Sequence, residues 1–259
     1  MSDLDLIVEA ARTVGEVAVR MQAEGLDIAI KEGGSPVTNA DLRVDQLLKE
    51  RLGAARPDYG WLSEETADDI ARLSQRRLFV VDPIDGTVAF MKGRPWWAVS
   101  IAVVEDGRPI AGVVHAPALN ETYVATRGGG ASLNGKPIHA SDVDDIEDCA
   151  MLGDAQMFLD PRWPRAWPAM KVETRNSIAY RMCLVASGAF DAAIAMTAKN
   201  EWDLAAADLI CAEAGAVATD HLGRAFVYND PNPLAPSLIC AAPALHPLLL
   251  ERVSHIVRA

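Results

Sequence analysis

Two aspartates three residues apart, in the run Asp82-Pro83-Ile84-Asp85-Gly86-Thr87, offer the clearest chemistry in this chain. Proline stiffens the turn so that both carboxylates can face one cation, and glycine lets main-chain N–H groups approach an anion closely. If a helix starts after Gly86, those N–H groups form a phosphate cradle. The plainer reading is an acidic turn that caps a helix. Upstream, Gly60-Trp61-Leu62-Ser63-Glu64-Glu65-Thr66 delivers two adjacent glutamates, a pair that by itself reads as solvated surface. Downstream, Glu201-Trp202-Asp203-Leu204-Ala205-Ala206-Ala207 sets an acid at a helix start, where an N-cap is the ordinary role. Small residues behind it let that helix pack closely.

These side chains need elements to hold them. Between Asp3 and Glu24, apolar residues Leu4, Ile7, Ala11, Val14, Ala18 and Met21 recur at helical steps, and Gly25 ends the pattern. Residues 31–36 are polar with breakers and predict a mobile loop. A second helix follows through Leu42, Leu47, Leu48 and Leu52, capped at Thr38 or Asn39. Residues 78–81 predict a buried strand that delivers Asp82 into a turn, and residues 98–104 and 110–115 predict an antiparallel hairpin. Short strands near 123–125 and turns at 128–130 and 134–135 complete a first half of helices on a largely antiparallel sheet. Residues 141–170 lack clear periodicity and mark a junction. The expected division is 1–140, an α+β half carrying the acidic motifs, and 141–259, an α/β half contributing Asp203. Helices over 178–187 and 202–213 and strands over 190–196 and near 217 and 238 fill the second half.

With 259 residues, half of them apolar, the chain can bury a core without disulfide staples. Its apolar runs fall far short of the roughly 20 residues a membrane helix needs, which predicts a cytoplasmic protein without membrane contact. Cys149, Cys183, Cys211 and Cys240 show neither zinc-site nor disulfide spacing and read as buried thiols. Thirty-six acidic against 24 basic residues leave a net charge of −12, which repels a nucleic-acid polymer. A surplus of carboxylates suits hard cations.

Taken together and in this order, the three acidic motifs resemble the signature set of the inositol monophosphatase family, and the resemblance extends along nearly the full chain. Pro36-Val37-Thr38-Asn39-Ala40-Asp41 is similar to that family's Val-Thr-x-x-Asp element, and Arg181-Met182-Cys183-Leu184-Val185-Ala186-Ser187-Gly188 fits as well. The resemblance implies an α+β fold, a layered αβαβα sandwich of the inositol monophosphatase and fructose-1,6-bisphosphatase type, working as a homodimer. It implies a lithium-sensitive, Mg²⁺-dependent phosphatase with two or three ions. Glu64, Asp82 and the Ile84 carbonyl would hold one magnesium, and Asp82, Asp85 and Asp203 a second, all oxygen ligands as this cation prefers. Glu65 would orient metal-bound water, around a third ion if one is present. Thr87, polarised by Asp41, would help deprotonate the attacking water beside Glu64, while Gly86 and Thr87 grip phosphate through main-chain N–H groups. Ser177 and Glu201 are the candidate substrate contacts, for a small phosphorylated metabolite.

Two departures bear on that metabolite. Val88-Ala89-Phe90-Met91 stands where many inositol-specific members read Thr-Asn-Phe, and Ala192 to Met196 offers alanine or methionine where they place a glutamate for ring hydroxyls. Glu201-Trp202-Asp203 is instead similar to the family's 3′(2′),5′-bisphosphate nucleotidases, and histidinol phosphate is a third candidate. Lys31, Lys92, Arg94, Arg181 and Lys199 could serve a second phosphate or be surface charges. Two other readings compete. A haloacid-dehalogenase-type phosphatase also uses an Asp-rich strand end, but with acids two apart, and it leaves Glu64 and Asp203 without roles. A non-catalytic metal-binding relative has no need of the whole acidic set.

Overall fold

A computed structural model describes residues 1–256. The helices among them are α1 (Asp3–Glu24), α2 (Asn39–Ala55), α3 (Thr87–Met91), α4 (Ala155–Phe158), α5 (Ile178–Ala186), α6 (Glu201–Glu213) and α7 (Leu245–Val253). Capping boxes start the first two. The Ser2 hydroxyl accepts the Asp5 N–H at 3.1 Å while the Asp5 carboxylate accepts the Ser2 N–H at 3.3 Å. Thr38 and Asp41 repeat the exchange at α2.

A seven-stranded sheet runs in the order Gly60–Ser63, Arg77–Asp85, Ala98–Glu105, Arg108–Ala116, Glu121–Thr126, Gly130–Leu133, Lys136–Pro137. Its first pair is parallel and the others are antiparallel. Side chains alternate across it with the strand period of two. Phe79, Val81, Val99, Ile101 and Val103 pack under α1 and α2, on Ile7, Val14 and Leu48. Leu78, Val80, Ala98, Ala102 and Val104 face the other way, onto α5 and α6.

Those two helices are apolar on nearly every side because each is covered twice. Beyond them lies a five-stranded sheet, Lys171–Glu173, Ala150–Leu152, Ala192–Ala195, Leu238–Ala241, Val217–Thr219, parallel at its first two pairings and antiparallel afterwards. Its far face, through Met151, Ile194 and Ile239, packs on α7 and on Phe158 of α4. The result is the expected αβαβα sandwich. Close packing of α6 uses the small residues its sequence offers: a Cβ at Gly112 would stand 2.9 Å from the Ala206 carbonyl oxygen.

Residues 31–35 form the expected loop, which closes a small antiparallel ladder between Ile28–Ile30 and Pro36–Thr38. Residues 141–170 are not irregular throughout: Ala150–Leu152 is an interior strand, and Trp163 and Trp167 pack into the α7 cluster. A three-residue strand is too short to leave a period in sequence. All four cysteines are buried and free, with the Cys211 and Cys240 sulfurs 3.5 Å apart.

Candidate active site

In a regular strand, residues three apart point to opposite faces. Asp82 and Asp85 escape this because the ladder is irregular there: Asp82 pairs with Ser100 but Asp85 pairs with Ala98, three residues opposing two. The extra residue turns both carboxylates toward α6. Asp203, the third residue of α6, meets them, and one carboxylate oxygen from each of the three lies within 4.8 Å of the others.

Each carboxylate is oriented by main chain. Asp82 Oδ1 accepts the Ile84 N–H at 3.0 Å. Asp85 sits at the start of α5, accepting the Ser177 hydroxyl at 2.5 Å and the Ala179 and Ile178 N–H groups at 2.6 and 3.2 Å, where the helix dipole favours negative charge. Asp203 Oδ2 accepts the Asn200 N–H at 2.9 Å. Burial, opposed by the Ser177, Ala179 and Ile178 bonds, pushes Asp85 up to about 6. Burial, then repulsion from Asp85, pushes Asp203 up to about 8. Asp82 is driven well above the usual carboxylate range by burial and then by Glu64, Asp85 and Asp203. Three crowded, desolvated carboxylates offering only oxygen are the donor set a hard divalent cation relieves.

Beside them, Asp41 divides its two oxygens. Oδ2 accepts the Thr38 N–H at 2.8 Å and the Thr38 hydroxyl at 2.5 Å, while Oδ1 stands 3.2 Å from the Thr87 hydroxyl. Helix cap and site residue are thus one side chain. The Thr87 hydroxyl is also 3.2 Å from the Ile84 carbonyl oxygen, so its single proton has two acceptors. Lys31, on the hairpin above, donates to Glu64 at 2.9 Å and to Glu65 at 2.6 Å. Burial still pushes Glu65 up to about 7.

Gly86 makes the turn into α3 at φ +93, a left-handed conformation. A Cβ there would stand 3.0 Å from the Trp96 carbonyl oxygen and 3.1 Å from the Ser177 nitrogen. Phe90 packs edge-on against the buried Trp97, ring centroids 4.7 Å apart, and anchors the turn. Glu64, Asp82, Asp85, Gly86, Thr87 and Asp203 all line one pocket of about 200 Å³.

Both candidate substrate contacts need correction. Glu201 is buried and turns away from this pocket: its oxygens accept the Asn229 and Asp230 N–H groups at 2.7 and 2.9 Å, fastening a distant loop to α6. Helix residues two apart point about 200° apart around the axis, so Glu201 faces away from Asp203. Ser177 is fully buried, with its hydroxyl committed to Asp85 and to the Tyr180 N–H at 3.0 Å, so in this structure it positions Asp85. Sequence reading missed Asn176, which lines the pocket and carries no spacing signal, and the Lys31 bridge to both glutamates, made across a hairpin.

The five-layer sandwich with this acidic cluster in its pocket is that of a phosphoric monoester hydrolase. The chain belongs to the inositol monophosphatase family, whose pattern residues 2–258 match. It is 36% identical over 248 residues to a histidinol-phosphatase of Mycobacterium tuberculosis, covering 88% of this chain and 93% of that protein. It is 34% identical over 227 residues to an inositol-1-monophosphatase of Mesorhizobium japonicum, covering 84% and 85%. The solved Thermotoga maritima IMPase is similar with a TM-score of 0.84 at 30% identity, over 98% of this chain and 97% of that one. Family membership removes the haloacid-dehalogenase-type reading.

Proposed function

We propose that the protein hydrolyses small phosphate monoesters with Mg²⁺ held by Glu64, Asp82, the Ile84 carbonyl, Asp85 and Asp203. The observation that carries this reading is the meeting of three mutually repelling carboxylates, Asp82 and Asp85 buried and Asp203 half-buried, beside the Asp41–Thr87 pair. Glu64, Asp82 and Ile84 would hold one ion, Asp82, Asp85 and Asp203 another, and Glu65 the water around a third. When bound, such cations neutralise phosphoryl oxygens, acidify water and steady the departing alkoxide.

The chain's own groups do the rest. With the Ile84 carbonyl used as a ligand, the Thr87 proton is left to Asp41 Oδ1, and the Thr87 oxygen is then turned to accept a proton from the attacking water. Thr38 keeps Asp41 from rotating away. The N–H groups of Gly86 and Thr87, at the start of α3 where no helical partner reaches them, hold the phosphoryl oxygens. We place the enzyme in the cytoplasm as a homodimer, with halves 1–140 and 141–259 meeting at Asp203. Among the described residues no helix is long and apolar enough to cross a membrane.

Phosphate release should be measured across inositol 1-phosphate, histidinol phosphate, adenosine 3′,5′-bisphosphate and glycerol phosphate, with and without Mg²⁺. Turnover of one or more, abolished by chelator, is expected; full activity in chelator would sink the metal assignment. Ala195 and Met196 line the cleft next to the pocket and offer ring hydroxyls no charged acceptor, so inositol 1-phosphate should be a modest substrate. The missing bond is worth about ten- to a hundredfold in kcat/KM. A hundredfold preference for inositol 1-phosphate over the other three would overturn that expectation. In the same assay, millimolar LiCl should inhibit more than NaCl at equal ionic strength, and equal inhibition would rule out a lithium-sensitive site.

A further inference from the structure

The acidic pocket, at about 200 Å³, is lined mostly by the groups proposed to hold cations and phosphate. The leaving group of a larger substrate extends beyond that lining. Asn176 lines this pocket and also a second cleft of about 650 Å³, so the two adjoin and the larger can take the departing alcohol. In a chain of net charge −12, the second cleft is a local exception. Arg162, Arg181 and Lys199 line it against Asp154 and Asp160.

The charges are not equally available. Asp160 and Arg162 pair with each other at 2.5 Å. Asp154 commits one oxygen to the Gln156 N–H at 2.9 Å, capping α4. Arg181, in the second turn of α5, donates from Nε and Nη2 to the Arg175 carbonyl, which fixes the plane of its guanidinium. No hydrogen bond among the described residues engages its Nη1. A guanidinium held in plane on a cleft wall, with one nitrogen still to donate, is preorganised for an oxyanion.

We propose that Arg181 determines specificity by binding a second anionic group, carboxylate or phosphate, on the leaving-group side of the substrate. The preferred substrates are then phosphate monoesters whose departing alcohol is itself an anion. This rests on hydrolysis at Asp82, Asp85 and Asp203, and the experiment separates the two claims.

Kinetics on matched pairs test it: glycerol 3-phosphate against 3-phosphoglycerate for a carboxylate, adenosine 3′-monophosphate against adenosine 3′,5′-bisphosphate for a phosphate, with phosphoethanolamine as the cationic control. The wild type should favour the anionic member of one or both pairs by tenfold or more in kcat/KM, and the pair that responds names the group. Arg181→Gln should lower kcat/KM for that anionic member by about ten- to a hundredfold, chiefly through KM, and collapse the preference. Arg181→Lys should restore part of it. A wild type that favours the neutral or cationic substrates overturns the proposal even if the variants do not fold. So does an Arg181→Gln enzyme that loses activity equally on all substrates, which would make Arg181 a staple of the Arg175 turn. Failure of every substrate with Mg²⁺ present would instead defeat the proposed function.

Discussion

Asp82→Asn is expected to lower kcat/KM about a thousandfold on any monoester the enzyme accepts, with an unchanged circular dichroism spectrum. Asp82 is the carboxylate both proposed ions share, and it sits at the end of a strand that is buried along nearly its whole length. An amide has almost the same shape and can still accept the Ile84 N–H at 3.0 Å, so the turn should persist. What it cannot supply is charge. The variant also relieves repulsion with Glu64, Asp85 and Asp203, so it should be no less stable than the wild type in chelator. An Asp82→Asn protein with more than a tenth of wild-type turnover would remove Asp82 from the site. One that has lost activity together with its fold would show that the carboxylate is structural.

The second large effect is on stability, and its size depends on metal. Asp203 has a folded pKa of about 8 against an ordinary value of 3.8. Folded protein therefore holds more protons than unfolded protein between those values, and stability falls as pH rises through that window. At about 1.4 kcal/mol per unit, the loss approaches a magnitude on the order of 5 kcal/mol by pH 8 in the absence of divalent cation. Asp203→Asn removes that penalty while an amide oxygen can keep the Asn200 N–H bond at 2.9 Å. In EDTA the variant should match the wild type near pH 4 and exceed its Tm by about 10 °C near pH 8. Saturating Mg²⁺ should roughly halve the difference at pH 8, because a cation at a hundred times its Kd adds about 2.7 kcal/mol to the protein that binds it. Thermal scans at several pH values check this. A difference that stays flat with pH, or a variant less stable than wild type in EDTA, would mean that Asp203 is comfortable as an anion where it stands.

The proposed chemistry was readable because it is written in short, rigid motifs. Asp82-Pro83-Ile84-Asp85-Gly86-Thr87 names its own turn, and the helix start at Asp203 is a local capping pattern. The residues that oblige α6 to lie close, Ala205, Ala206 and Ala207, are local too. Periodicity sufficed for α1, α2 and the long hairpin, where a dozen or more residues repeat one pattern. It failed at Ala150–Leu152 and Gly60–Ser63, where three or four residues cannot establish a period and burial is decided by distant neighbours.

By itself, then, the sequence determined the residue types at the site, the helices and strands long enough to be periodic, and an order of acidic motifs that resembles one family. Tertiary structure alone decided direction. Whether residues three apart share a face depended on a one-residue bulge against Ala98–Glu105. Whether Asp203 or its neighbour Glu201 joins the cluster depended on which side of α6 meets the large sheet. Ser177 became the support of Asp85, 92 positions earlier, only once α5 was set against the strand end. Such choices are made by packing between elements far apart in the chain, and a local pattern carries no record of them.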